Sequence, residues 1–548
     1  MRAAVLYLAS LFVAASDANR DQWPAAAQVN PCVSTVSYWL EALLANSLLL
    51  SDATPKQCLC RSLEAVPSLA GKVYLPHSAA YASRLESYWS LSAALPPWCM
   101  VQPSTTADVS VILKTLTADA CHFGVRAGGH GSFPLSNSLR SGVTIDLGNM
   151  NATTWNPETR LASIQPGGDW QGVYETLAPL GVVVPGGRVS TVGVGGYLTG
   201  GGLSFQQASH GLACDNVANF EVVLADGNVI NANSSSHSDL WHALKGGSGN
   251  LGLVTRFDMY GIEYPDPTKP VMWGGNLAYE LSAGPAIADA MVDFTNNIHK
   301  DENSSIILAW SYNPEVADST VINAAVYNTE ARAKPTAFDE FYAVGGMLND
   351  TTRVANMTEL TAELGFGQVA GFHYVWFVTA FQNDPRPIKH AADRFSELNS
   401  DLMRLVPSPS SHLNTNLFLQ PISKSMVDKG IQNGGNVIGL DRFTADGTNG
   451  ILLLVTASVK DSESEKLVIP RVSKFLDDVD DYAASQKLRW DWRYLNYARG
   501  VQDAIASYGD ENISAIRAAA AKYDPRRVFQ KLRGSGFKIP RRCPKPEL

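Results

Sequence analysis

Five glycine-rich stretches constrain the fold of this chain more than any other feature. They lie at residues 126–131, 166–170, 185–188, 193–202 and 246–252. Tight turns in a β-rich domain need single glycines, but paired and triple glycines exceed that need. Adjacent glycines let a backbone approach a diphosphate so closely that successive N–H groups point at its oxygens. The pattern therefore predicts a domain that surrounds a large, flat ligand bearing a diphosphate.

The same stretches argue against three other kinds of site. No glycine cluster is followed by Lys and Ser or Thr, as a triphosphate-binding P-loop requires. Gly193, Gly195 and Gly196 lack the spacing, the strand–helix context and the ribose-binding acid of a Rossmann dinucleotide site. The residues around Ser248 lack the G-x-S-x-G spacing of a hydrolase nucleophile.

The first residues are typical of a secretory signal peptide. Met1 and Arg2 precede a mostly apolar run over residues 3–15, and small residues follow it. A bilayer span needs about 20 residues, so this run is too short to cross a membrane. A buried N-terminal helix is the alternative. We predict a signal peptide over residues 1–18 and a secreted protein, with which six Asn-x-Ser/Thr sequons agree: Asn151, Asn233, Asn303, Asn349, Asn356 and Asn512.

Cysteine spacing and net charge narrow the class of protein further. In an oxidising compartment, the four cysteines before residue 100 predict two disulfides with three alternative pairings: Cys32, Cys58, Cys60 and Cys99. Cys121 and Cys214 have apolar neighbours and are predicted to be buried thiols. A formal net charge of -9 argues against a nucleic-acid partner, which needs clustered Lys and Arg. No Cys–His spacing resembles a zinc site, so no metal is predicted.

The spacing of apolar residues predicts an α+β chain in several parts. A cysteine-bearing segment over residues 19–94 precedes a first domain over residues 95–265, where Asp169 is placed to cap a helix at 170–178. The strands of this domain are predicted at 123–125, 143–147, 161–164, 182–184, 220–224, 229–231 and 251–259. A second domain over residues 266–493 is predicted to be an antiparallel sheet backed by helices. Residues 494–548 form a tail that we expect to return to the first domain.

Taken together, several motifs resemble those of a known flavoprotein family. Residues 95–265 are similar to the FAD-binding domain of the vanillyl-alcohol-oxidase type, also called PCMH-type. The rest of the chain resembles the berberine-bridge-enzyme-like branch in its fungal secreted form. The matching stretches are 126–130, 143–147, 193–202, 213–217, 243–247, 252–255, 494–497 and 522–530. The resemblance implies a two-subdomain FAD-binding domain and a substrate domain built on an antiparallel sheet.

The resemblance also implies how the cofactor is held. His130 matches the histidine that is bonded to the flavin 8α-methyl in this family, and such a bond raises the reduction potential of the flavin and prevents its loss. Some members add a second bond through a cysteine, but Val189 occupies that position here, which implies a single linkage. Further cofactor contacts are implied for Arg126, Gly128, Gly129, Gly131, Gly193, Gly195, Gly196, Gly252 and Val254.

Two residues near the C-terminus match the catalytic positions of the family. Tyr497 matches a catalytic base, and Asn496 is expected next to the flavin. A phenol has a pKa of about 10, so this tyrosine needs a positive or hydrogen-bonding neighbour to act as a base. Alternatively, Tyr497 is a core aromatic on a strand, where it and Asn496 could not both face the flavin. Several members use a glutamate on a substrate-domain strand, for which this chain offers only Asp441, and Val192 falls where the family sets oxygen access.

The resemblance implies a secreted FAD-dependent oxidase. A base removes a proton, a hydride passes to the flavin, and O2 reoxidises the flavin to give H2O2. The expected substrate is a small alcohol, amine or activated C–H compound of secondary metabolism. An oligosaccharide oxidase and an FAD-scaffolded cyclase without net redox change are two further possibilities. We expect a monomer whose partners are this substrate and O2, without a nucleic acid or a membrane.

Overall fold

The computed structural model describes residues 55–264, 266, 268–269, 271–314, 319–406 and 412–541. The described residues up to Pro540 form one compact unit. The predicted signal peptide, Cys32, the side chain of Cys58 and Cys543 lie outside the described residues. No helix in the described part of the chain is long and apolar enough to span a bilayer.

The first part of the chain builds two small sheets and a separate two-stranded ladder, which joins the strands at 182–183 and 262–263. Its strands are β1 (Val73–Tyr74), β2 (Cys99–Val101), β3 (Phe123–Arg126), β4 (Val143–Asp146), β5 (Thr153–Asn156), β6 (Leu161–Ile164), β7 (Val182–Val183), β8 (Val217–Val223), β9 (Val229–Asn233), β10 (Leu253–Tyr260) and β11 (Ile262–Glu263). One sheet has the order β1–β2–β4–β3, with β4 parallel to both neighbours. The other is antiparallel, in the order β5–β6–β10–β8–β9. These sheets confirm the predicted α+β class.

Short helices connect these strands, and one of them begins at the predicted cap. They are α1 (Pro55–Glu64), α2 (Ala79–Glu86), α3 (Thr106–Ala118), α4 (Trp170–Leu177), α5 (Val194–Thr199), α6 (Gln207–His210) and α7 (Ser238–Leu244). Asp169 caps α4 as predicted, because its carboxylate accepts a hydrogen bond of 2.9 Å from the Gly172 amide. The cap starts α4 directly after the glycine pair at 167–168, so the helix supports this glycine stretch.

A large antiparallel sheet dominates the second part. Its strands are β12 (Met272–Tyr279), β13 (Ser304–Tyr312), β14 (Val321–Asn328), β15 (Met347–Asp350), β16 (Arg353–Ala355), β17 (His373–Gln382), β18 (Asn414–Ile422), β19 (Gly450–Val459) and β20 (Arg489–Trp490). They follow the order β15–β12–β14–β13–β18–β19–β17–β20, and β16 also pairs with β12. The helices here are α8 (Gly284–Asn297), α9 (Asp339–Ala343), α10 (Met357–Gly365), α11 (Pro385–Leu405), α12 (Lys424–Gln432), α13 (Asp441–Thr444) and α14 (Ser462–Ser485).

The two faces of the large sheet have different roles. On β13, Leu308 and Trp310 pack into an apolar core with residues of α8, α11 and α14. Successive strand residues point to opposite faces, so Ala309 and Ser311 lie on the other face, where they line a cavity. The prediction of an antiparallel sheet backed by helices is confirmed.

The last described residues return to the first part of the chain. After α15 (Asp510–Tyr523) and α16 (Val528–Lys531), the chain runs beside β3. The Phe123 amide donates to the Leu532 carbonyl at 2.9 Å, and the Gly534 amide donates to the Phe123 carbonyl at 2.7 Å. The tail therefore extends the edge of the first small sheet.

One of the predicted disulfide pairings is present. Cys60 on α1 is bonded to Cys99 on β2, and both residues are buried. Cys121 and Cys214 are buried thiols, as predicted. The disulfide ties the N-terminal segment to the first small sheet.

Candidate active site

A cavity of about 730 Å³ lies between the glycine-rich loops and the open face of the large sheet. Sites for cofactors and small molecules have volumes of about 300–1,000 Å³. Every predicted site residue except Arg126 lines this cavity: Gly128, Gly129, His130, Gly131, Gly193, Gly195, Gly196, Gly252, Val254, Asn496 and Tyr497. Residues from distant parts of the sequence thus meet in one space.

Two glycine loops touch through their backbones. A Cβ added to Gly128 would lie 2.4 Å from the Gly193 Cα, and a Cβ on Gly193 would lie 2.4 Å from the Gly128 Cα. Neither position can hold a side chain, because the opposing atom is backbone and cannot move aside. Gly129 has a φ of 76°, a conformation that favours glycine.

These loops present unused polar groups to the cavity. Among the described residues, the backbone N–H groups of Gly129, His130 and Gly131 donate to no protein acceptor. Ser136 Oγ is buried on the same wall without a hydrogen-bond partner in the described part of the chain. A Cβ on Gly196 would meet no described atom within 4 Å, so the backbone there faces open space. The residues present therefore fit a cradle for a diphosphate-bearing cofactor.

His130 is held on the cavity wall by an aromatic contact. Its ring stacks on Trp89, with ring centroids 4.2 Å apart and planes 12° apart. Thr191 Oγ1 lies 3.5 Å from His130 Nε2. Burial lowers the pKa of His130 to about 4, so the imidazole is neutral near pH 7 and keeps a lone pair. A neutral imidazole at this place can act as a nucleophile.

Arg126 lies behind the loop and not in the cavity. Its guanidinium donates to the Arg84 carbonyl at 2.5 Å and to the Ser87 carbonyl at 2.9 Å. It also lies over the Tyr88 ring, 4.0 Å from the centroid, and 3.7 Å from Asp146. The predicted cofactor contact of Arg126 is thus corrected to a supporting contact, because its charge is already engaged by α2 and β4.

Tyr497 lies in a turn, and the alternative of a core aromatic on a strand is wrong. Its amide donates to the Tyr494 carbonyl at 3.0 Å, which closes the turn. The turn lets both Asn496 and Tyr497 line the cavity. Asn496 Nδ2 also donates to the Tyr197 carbonyl at 3.0 Å, which joins the turn to α5 and the glycine loop before it.

A buried arginine contacts the hydroxyl of Tyr497. Arg188 Nη2 donates to Tyr497 Oη at 3.2 Å and also donates to Gln420 Oε1. The arginine is only 6% exposed, and its Nη1 has no hydrogen-bond partner among the described residues. Of the described residues that line the cavity, only Glu363 carries a carboxylate, and it pairs with Arg353 at 2.7 Å. The positive charge of Arg188 is therefore not neutralised by an acid.

Gln420 supplies a neutral amide beside Arg188 and Tyr497. It lies on β18 and lines the cavity, whereas Asp441 is exposed at the start of α13 and lies outside the cavity. The sequence left Asp441 open as a base or as an acid without a role in the site, and its exposed place outside the cavity favours the second interpretation. The alternation of amides at Asn414, Asn416 and Gln420 was a usable signal, since every second residue of a strand shares a face.

Three further lining residues complete the site. Val189, which the family resemblance implies is at the position of a second linkage, and Val192 both line the cavity. Arg533 of the C-terminal tail lines the cavity too, and burial lowers its pKa to about 10. It donates to Asn250 Oδ1 at 3.0 Å, and sequence reasoning missed it because its neighbours in space are distant in sequence.

Comparisons with known proteins agree with this geometry. Residues 97–233 match the family described as FAD binding domain. The chain is 38% identical over 510 residues to the FAD-dependent monooxygenase drtC of Aspergillus calidoustus, with 90% of this chain and 94% of that protein covered. The fold is similar to that of 6-hydroxy-D-nicotine oxidase from Arthrobacter nicotinovorans, with a TM-score of 0.69, 20% identity, and coverage of 87% of this chain and 99% of that chain.

A second solved structure with this fold has a covalently bound flavin. Glucooligosaccharide oxidase from Acremonium strictum, which has a 6-S-cysteinyl, 8α-N1-histidyl FAD, gives a TM-score of 0.65 at 17% identity, over 88% of this chain and 99% of that chain. The match to the FAD-binding domain and the identity to drtC over most of both chains show the family. This chain belongs to a family of FAD-linked oxidoreductases that includes the fungal protein drtC, and it has the fold of the berberine-bridge-enzyme-like flavoproteins with their PCMH-type FAD-binding domain.

Proposed function

We propose that this protein is an FAD-dependent oxidase that removes a hydride from a small organic substrate and passes the electrons to O2 to give H2O2. The substrate is an alcohol, an amine or an activated C–H compound of secondary metabolism. The proposal is carried by one observation, the contact between Tyr497 and the uncompensated guanidinium of Arg188 inside the cavity that His130 lines. We further propose that the protein acts as a secreted monomer.

FAD, when bound, supplies the hydride acceptor and the group that reacts with O2. The residues that would hold it are the glycine loops around Gly128 and Gly193, with their open amides. His130 would form a single covalent attachment. Its neutral imidazole and the valine at position 189 support one linkage and not two.

Proton removal is assigned to Tyr497. The Arg188 guanidinium donates to Tyr497 Oη at 3.2 Å, and it would stabilise negative charge on that oxygen. Gln420, as a neutral amide, accepts from Arg188 without cancelling its charge. When a substrate hydroxyl gives its proton to Tyr497, the negative charge moves to the substrate oxygen, and the same cation can stabilise it. The charge of Arg188 would thus balance the single negative charge before and after the proton is transferred.

The name of a relative supports a second candidate, insertion of one oxygen atom into the substrate. The relative drtC, at 38% identity, is described as a monooxygenase. A monooxygenase releases the second oxygen atom as water and needs two electrons for that, so the substrate panel is incubated under ¹⁸O2 with and without NADPH, which separates the two reactions. An oxidase gives one H2O2 per product and no ¹⁸O in the product, whereas a monooxygenase gives labelled product and no stoichiometric H2O2.

The same panel tests for sugar oxidation and for cyclisation. Oligosaccharides in the panel test sugar oxidation, and H2O2 formation with them alone would assign the protein to that class. A product of unchanged oxidation level, formed without O2 consumption, would indicate a cyclase. Either result would overturn the proposal of a small-molecule oxidase.

The role of Tyr497 is tested by Tyr497→Phe. A general base contributes about 10²- to 10⁴-fold, so kcat is expected to fall by that factor while the FAD content stays unchanged. Tyr342→Phe is the matched control, because it removes a hydroxyl that lies outside the cavity and contacts Thr352. Wild-type kcat in Tyr497→Phe would refute the assignment of this base.

A further inference from the structure

Trp89 forms an aromatic clamp on the proposed attachment residue. It belongs to the N-terminal segment, which contributed no predicted site residue, and it is 5% exposed. Its indole ring lies between two other rings. His130 stacks on it with centroids 4.2 Å apart, and Tyr374 stacks on it with centroids 3.7 Å apart and planes 15° apart. Three rings from three distant segments therefore form one stack.

The indole is itself fixed by hydrogen bonds. Trp89 Nε1 donates to the Gln368 carbonyl at 2.9 Å, and the Trp89 amide donates to the Gly129 carbonyl at 3.2 Å. The Trp89 carbonyl accepts from the Gly371 amide at 3.2 Å. These bonds join the N-terminal segment, the loop of His130 and the loop before β17, so the plane of the indole is set by the assembled fold.

The residues next to His130 in sequence cannot fix the orientation of its imidazole ring. Glycines flank it on both sides, and Gly129 has a φ of 76°, so no neighbouring side chain restricts the rotation of the imidazole. A bond to a cofactor carbon requires a ring nitrogen to point at that carbon. Small errors in such an alignment cost up to about 100-fold in rate. The alignment must therefore come from a residue outside the loop.

We propose that Trp89 is a positioning residue for the covalent attachment of FAD to His130, an inference that depends on the proposed attachment itself. In that step an imidazole nitrogen–C8α bond replaces one C8α–H bond. The proton from C8α and the imidazole N–H proton leave, and two electrons remain on the flavin. O2 takes the electrons and the two protons as H2O2, which balances the reaction. Trp89 keeps the imidazole plane in the orientation that this bond needs.

The test compares two substitutions of the clamp. Trp89→Phe keeps a ring that can stack on His130, and Trp89→Met keeps an apolar side chain without a ring. Trp155→Met is the matched control, because Trp155 is half-buried on β5, packs against Gly261 and lies outside the cavity. Each protein is produced with limiting flavin and supplied with FAD. The covalent fraction is followed by intact mass and by flavin fluorescence after acid precipitation.

The expected result is a graded loss of attachment rate. Trp89→Phe and Trp155→Met should attach FAD within about 3-fold of the wild-type rate, and Trp89→Met about 10- to 100-fold more slowly. Equal rates in Trp89→Met and wild type would overturn the proposal. Trp89→Leu provides the same comparison should the methionine variant fail to fold.

A second measurement separates positioning from general support of the fold. In a His130→Ala background no bond can form, so a residue that acts only through the imidazole should have no effect on noncovalent FAD binding. The dissociation constant for FAD in His130→Ala/Trp89→Met is therefore expected to match that of His130→Ala. A much weaker affinity in the double variant would show a merely structural role. Wild-type protein without any covalent flavin would instead refute the attachment at His130, which is a distinguishable failure.

Discussion

The two walls of the cavity present different chemical groups. The wall built from residues 126–254 presents backbone, as at Gly128 and Gly193, whose Cα atoms leave no room for a Cβ. The wall built from the large sheet presents side chains, as at Asn323, Asn416 and Gln420. Backbone recognition needs glycines that are contiguous in sequence, whereas side-chain recognition uses alternate residues of strands that are far apart in sequence. The first wall therefore suits a constant cofactor and the second a changeable substrate.

This difference also separates the effects of mutation. A side chain added to the backbone wall meets backbone atoms that cannot move, so the cofactor site should be lost together with stability. A side chain changed on the sheet wall alters hydrogen bonds to a ligand and leaves the strands paired. Side chains added at the glycines of the first wall should therefore affect FAD loading, and side chains changed on the sheet wall should affect substrate selection.

The largest effect is expected for Gly128→Ala. The new Cβ would lie 2.4 Å from the Gly193 Cα, and overpacking of this kind costs about 3 kcal/mol of unfolding free energy. We expect a lower melting temperature and a flavin-to-protein absorbance ratio near zero. Gly345→Ala is the control, because a Cβ there would meet no described atom within 4 Å. Full flavin loading in Gly128→Ala would contradict this prediction, because it would mean that the two loops can move apart to accept the Cβ.

A smaller effect, confined to turnover, is expected for Arg188→Met. This change removes the cation that contacts Tyr497 Oη, and the loss of one such charge-stabilising donor costs about 10²- to 10³-fold in kcat. FAD loading should stay at the wild-type level. Arg188→Lys, which keeps the charge but not the forked geometry, should recover part of the rate. Steady-state kinetics check both variants, and an unchanged kcat in Arg188→Met would remove Arg188 from proton transfer.

The smallest effect is expected for Asn323→Ala on the sheet wall. Asn323 Oδ1 accepts from Asn276 Nδ2 at 2.8 Å, and both amides line the cavity. One neutral hydrogen bond contributes about 1 kcal/mol, so KM should change by about 5-fold while kcat and FAD loading stay constant. Kinetics and flavin absorbance check these quantities. Loss of flavin in this variant would contradict the division between the two walls.

Local features of the chain were predictable from sequence. The cap at Asp169 and the long helices α8, α11 and α14 depend on residues within a few positions of each other. The glycine loops were equally readable, because backbone recognition leaves a contiguous pattern. Their convergence on one cavity with Tyr497 followed from the family resemblance and not from periodicity.

Long-range pairings were not predictable in the same way. Arg188 and Tyr497 are 309 residues apart, and nothing near either residue indicates that they meet. Trp89 was missed for the same reason, since it acts through a partner brought by another segment. Arg126 was misassigned because a charged residue near a motif can point away from the site.

The contact of the tail with Phe123 has a consequence for the order of events in the cell. Ribosomes release a polypeptide from its N-terminus, so the edge of β3 stays unpaired until residue 534 has been synthesised. The cofactor-binding half is thus completed by the last part of the protein to emerge. A chain truncated a few residues before this point should bind no FAD and should therefore be colourless.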